Sequence, residues 1–95
     1  MKKKSYESIR KLIVKEKEFE VKTELCADGF RNHFLFTEDI NGDDDLVFAI
    51  SENKDFYYMV GIYNDTRIFQ KDQVDDIHKL IDEILIELCE RFTFL

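Results

Sequence analysis

The sequence predicts an α+β domain, an antiparallel meander of four to five strands flanked by an N-terminal helix and a long C-terminal helix, in the order α-β-β-β-β-(β)-α. Three observations lead to it. From Phe19 to Leu25 apolar or neutral residues alternate with charged ones, the period of a half-buried strand. Ile77, Leu80, Ile81, Ile84, Leu85, Leu88 and Phe92 fall on one stripe at helical spacing. Finally, 95 residues that are 44% hydrophobic, with nine Phe and four Tyr, supply one core and too little chain for a second. The absence of Pro, the three Gly and the lack of an internal repeat leave no linker, so residues 1–95 read as a single acidic domain.

Ser5 suits an N-cap, and Tyr6, Ile9, Leu12 and Ile13 recur at helical spacing between Lys and Glu, which predicts an amphipathic helix over 5–16. In the strand that follows, Phe19, Val21, Thr23 and Leu25 face one way and Glu18, Glu20, Lys22 and Glu24 the other. Ala27-Asp28-Gly29 reads as a turn into a second strand, 30–40, holding Phe34, Leu35 and Phe36. Asn41-Gly42 between two apolar runs is a strong hairpin signal and sends the chain back along 45–50. A polar turn at 51–55 leads to an aromatic and β-branched strand, 56–63. Asn64-Asp65-Thr66 turns into a short strand, 67–69. Asp72 suits the N-cap of a final helix over 73–92, with Asp75 and Asp76 in the first turn where the helix dipole favours acids. Ile86 lies about 150° from the centre of its apolar stripe and is expected to be exposed, available for a dimer or another hydrophobic contact.

The net charge of −7 is unevenly distributed. Residues 1–22 carry eight Lys/Arg against four Glu, whereas residues 23–95 carry six against seventeen acids. Such an acidic body repels nucleic acid and anionic membrane and attracts a basic protein surface, for example that of a nucleic-acid-binding enzyme. Lys2-Lys3-Lys4 resembles the start of a secretion signal, but Glu7, Arg10 and Lys11 interrupt the apolar run such a signal needs, and the tail reads as a solvated terminus. No apolar stretch approaches the roughly 20 residues that cross a bilayer. Cys26 and Cys89 read as two thiols in a reducing compartment, so a cytoplasmic location is expected.

Between Thr37 and Asn53 there are six acids and no base, most of them at the Asn41-Gly42 hairpin. An exposed acidic tip of this kind can enter an Arg/Lys groove built for phosphates, or can simply solubilise a turn and protect a sheet edge. Asp39, Asn41 and Asp43 have the spacing of the first ligands of a calcium loop, yet Gly42 stands at the fourth position, Ile50 at the twelfth, and strands flank the segment. His33 and His78 could serve Cys26 or Cys89 in a nucleophilic pair, but no local motif joins them, and the four lack zinc spacing. Tyr57, in the run Phe56-Tyr57-Tyr58, is a candidate partner contact. No catalytic residue, metal or cofactor is expected.

The segment from Val14 to Lys22, the Asn41-Gly42-Asp43 turn and Phe48-Ala49-Ile50-Ser51-Glu52 resemble, over residues 5–52, the first half of small acidic phage anti-CRISPR proteins. The resemblance implies a phage-encoded inhibitor, working in the host cell cytoplasm, that occupies the positively charged PAM-reading region of an RNA-guided nuclease with acidic side chains in place of DNA. The second half departs from that pattern with two more strands and one long helix. Residues 63–92 are similar in outline to acidic secretion chaperones, whose internal helix this chain lacks; that likeness implies a dimeric adapter or chaperone. The expected function is therefore a non-enzymatic protein-binding inhibitor, monomer or homodimer, that meets a basic partner through Glu38, Asp39, Asp43, Asp44, Asp45, Glu52 and Asp55. An adapter or immunity-type protein using hydrophobic surface, and a small Cys/His enzyme, are the alternatives.

Overall fold

A computed structural model describes residues 5–93. Six strands, β1 (Ser8–Val14), β2 (Lys17–Leu25), β3 (Arg31–Glu38), β4 (Asp44–Glu52), β5 (Phe56–Gly61) and β6 (Thr66–Gln70), form one antiparallel sheet in sequence order. One α-helix among the described residues, α1 (Ile77–Arg91), follows. Short 3-10 turns at Ile62–Asn64 and Lys71–Gln73 join β5 to β6 and β6 to the helix segment. The Lys2–Lys4 tail lies outside the described residues.

The expected N-terminal helix is absent, and with it the α-β-β-β-β-(β)-α order. The segment is strand β1, paired from Ser8↔Thr23 to Val14↔Lys17, so the sheet has six strands and one flanking helix. Ile9, Leu12 and Ile13 satisfy the helical period by coincidence. The same seven residues include three that are β-branched, and pairing with β2 satisfies their backbone while Arg10, Leu12 and Val14 turn to the core side. A two-residue turn makes this possible, with Lys15 (φ 51°) and Glu16 (φ 67°) both left-handed as a tight hairpin demands. Neither is the Asn or Gly that usually announces such a turn.

The other turns follow their composition. Gly29 (φ 87°) and Gly42 (φ 84°) take left-handed positions closing the β2–β3 and β3–β4 hairpins. At the second, Gly42 N–H donates to the Asp39 carbonyl at 3.1 Å and the Asp39 carboxylate accepts from the Asn41 and Asp43 amides at 2.8 and 3.0 Å. The final helix begins at Ile77, later than the spacing predicts. Asp76, not Asp72, is its N-cap, accepting from His78 N–H at 2.9 Å, because Val74 is still extended.

Strand alternation places Phe19, Val21, Leu35, Phe48, Ile50 and Met59 on one sheet face. Against them α1 buries Ile81, Ile84, Leu85 and Leu88, forming the core. Each such aliphatic side chain contributes about 1.5–3 kcal/mol on burial. A register shift next to Phe36 lets both Val47 and Phe48 turn inward. Two ion pairs clamp the helix to the sheet edges: Arg10 of β1 reaches Asp82 at 2.8 Å, and Arg67 of β6 joins Glu87 while also holding Asp65.

Candidate functional site

The helix covers one face of the sheet. The other face takes the opposite parity of every strand: Ile9, Lys11 and Ile13 from β1, Glu18, Glu20, Lys22 and Glu24 from β2, Phe34 and Phe36 from β3, Leu46 and Ala49 from β4, Tyr58 and Val60 from β5, and Ile68 from β6. Cross-strand neighbours on it are Phe34↔Ala49, Phe36↔Leu46, Ala49↔Val60 and Tyr58↔Ile68, so the β3–β6 half is one continuous apolar surface. Leu46 (49%), Tyr58 (38%), Val60 (46%) and Ile68 (59%) remain open to solvent. No element among the described residues covers them. The β1–β2 half mixes charged side chains with the exposed Ile9 and Ile13, and Lys22 bridges the halves, 3.6 Å from Asp44 and 5.1 Å above the Phe36 ring.

The seven acids expected to form one surface divide into two groups. Glu38, Asp39, Asp43, Asp44 and Asp45 gather at the β3–β4 hairpin. Glu52 and Asp55 lie at the far end of β4, roughly 25 Å away at the rise of a nine-residue strand. Glu52 also turns to the helix side, where its carboxylate accepts from Lys71 Nζ at 2.6 Å and from the Arg31 amide at 3.0 Å. Burial raises its pKa, but these hydrogen bonds outweigh that effect and hold the carboxyl below its ordinary range. Tyr57 likewise pairs with Glu52 on the helix side and is half-buried beneath Lys71, whereas Tyr58 occupies the open face. Ile86 is exposed on the helix, as its spacing predicts.

The two histidines meet. His33 is buried, its Nδ1 2.9 Å from the Thr23 hydroxyl, and its ring stands edge-on to His78 with centroids 6.0 Å apart. They share a cavity of about 310 Å³ with Glu7, Arg31, Glu52 and Tyr57. Burial, and then the neighbouring His78, push the His33 pKa down to about 4, so it is neutral at pH 7. His78 Nδ1 is buried without a hydrogen-bond partner among the described residues. The cysteines form no disulfide and are placed elsewhere. Cys26 contacts Glu24 and Asn32, whose parity is that of the open face, while His33 belongs to the helix side. Cys89 is eleven residues beyond His78 on α1, roughly 16 Å along the axis, and burial raises its thiol pKa. The geometry offers no Cys/His pair. Among the described residues no group of three or more His, Cys, Asp or Glu is placed to hold a metal, and no helix is long and apolar enough to cross a membrane.

No family model, curated protein or solved structure matches the chain. Of residues 5–52, which carry the phage-inhibitor resemblance, the segment expected as a helix is strand β1, and the rest forms β2 to β4.

Proposed function

We propose that this protein is a non-enzymatic binding module that seats a partner protein on the open face of its sheet. The supporting observation is the solvent-open apolar surface of Leu46, Tyr58, Val60 and Ile68, continued by the half-buried Phe34 and Phe36. Large aromatic and aliphatic side chains grouped in this way form the dry centre of an interface. The surrounding charge defines the partner. Glu38 and Asp44 border the apolar half at the hairpin, and Glu18, Glu20 and Glu24 line β2, so the partner presents an apolar patch flanked by Lys or Arg. A net charge of −7 opposes face-to-face pairing of two copies and favours a different, basic partner. Inhibition by covering a basic nucleic-acid-binding surface is the activity that the acids at the β3–β4 hairpin best support.

The test is quantitative capture from the native cell extract with wild-type protein and with the double variant Val60→Lys and Ile68→Lys. Both positions are exposed and leave the core intact. A partner retained by wild type and lost from the double variant supports the proposal. A partner held equally by both refutes it.

A further inference from the structure

We propose that the groove between the β3–β4 hairpin, the 3-10 turn after β5 and the end of α1 is a docking site for a peptide segment of the partner, one that carries a bulky apolar side chain next to Arg or Lys. This rests on the reading of the protein as a binding module and adds a second contact to it, adjoining the open face at Leu46.

The groove has a volume of about 570 Å³, larger than the histidine cavity. Ile40, Val47, Ile62, Tyr63 and Phe92 give it apolar walls, and Asp39 and Asp45 add two carboxylates. This composition suits an aromatic or aliphatic side chain entering beside a cation. Asp39 spends one carboxylate oxygen on the Asn41 and Asp43 amides, and neither it nor Asp45 forms an ion pair among the described residues. Their negative charge is therefore available to a ligand. The adjoining Glu38, Asp43 and Asp44 extend the same field, opposed locally by Lys22 on Asp44 and by Arg91 stacked on Phe92.

Two large residues at the groove are unusually exposed, Ile40 at 85% and Tyr63 at 81%. Tyr63 is held in the left-handed region (φ 55°), and its ring lies against Phe92 with centroids 5.1 Å apart. An aromatic pair displayed in this way is a typical anchor for a partner side chain.

The probe is an acetylated, amidated hexapeptide, Gly-Arg-Phe-Leu-Arg-Gly, titrated into labelled protein and followed by amide chemical shifts. Saturable shifts are expected at Ile40, Val47, Ile62 and Tyr63, with the peptide in which both Arg are replaced by Glu causing none. The double variant Asp39→Asn and Asp45→Asn keeps the side-chain acceptor for the turn amides. It is expected to weaken binding about tenfold, the effect of losing two exposed ionic contacts. The Val60→Lys and Ile68→Lys variant leaves the groove lining untouched and is expected to bind the peptide normally. Absence of saturable shifts in the millimolar range, equal binding of the Glu peptide, or shifts confined to Tyr58, Val60 and Ile68 would overturn the groove proposal. The capture experiment judges the open-face reading independently.

Discussion

Lowering the pH from 7 to 5 should destabilise the fold through His33. In the unfolded chain this imidazole takes up a proton near its ordinary pKa of about 6.5, whereas the folded protein holds it neutral down to about 4. A base with a depressed folded pKa binds more protons when unfolded. Stability is therefore full above about pH 6.5 and declines as pH falls toward about 4. Integrating between those values gives a loss of about 2 kcal/mol at pH 5 as an upper limit, and solvent entering the cavity beside His78 and Glu52 reduces it to about 1 kcal/mol. The assay is urea unfolding at pH 7, 6 and 5. This window excludes the paired carboxylates Glu7, Glu52 and Asp65, whose pKa values are lowered and which stay ionised throughout. The control is His33→Gln, which retains a polar partner for Thr23 and cannot titrate. It should be less stable at pH 7 but should lose most of the pH slope. An undiminished slope in the variant would show that burial of a neutral His33 is not its origin.

Further predictions concern the fold and the oligomeric state. Replacing Lys15-Glu16 by Asn-Gly should stabilise the protein by about 1 kcal/mol in urea unfolding, because both positions are left-handed. Leu85→Ala, at a fully buried site between helix and sheet, should cost about 2–5 kcal/mol in the same assay. Arg67→Ala removes a half-buried guanidinium shared by Asp65 and Glu87 and should cost about 1–2 kcal/mol, leaving β6 the first strand to exchange its amides. Light scattering should give a monomer mass for the isolated protein; a stable dimer would transfer the open face from a foreign partner to a second copy.

The parts of the fold that were legible in the sequence are those where side-chain period and turn chemistry agree. Strand β2 alternates cleanly, Gly29 and Gly42 mark the turns that need left-handed backbone, and the helical stripe buries Ile81, Ile84, Leu85 and Leu88, with Ile77 and Leu80 partly buried beside them. Strand β1 was hidden because Ile9, Leu12 and Ile13 fit a helical period and because the hairpin turn is made by Lys15 and Glu16. Only long-range pairing with β2 resolves such a segment. Sequence spacing found the acids at residues 38–45 but could not show that Glu52 turns inward to Lys71 at the opposite end of β4. It favoured Tyr57 over Tyr58, a shift of one residue that exchanges the two sheet faces. The parity of β4 and β5 could have indicated Tyr58, Val60 and Leu46, had six strands and a single helix been anticipated. The meeting of His33 and His78, distant in sequence, had no local signal.

The most direct test of the open-face account is hydroxyl-radical footprinting of the protein free and in complex with its captured partner. Phe36, Leu46, Tyr58 and Ile68 should be oxidised in the free protein and strongly protected in the complex, with Ile86 on the helix unchanged. Protection of Ile86 with continued oxidation of Tyr58 and Ile68 would contradict it.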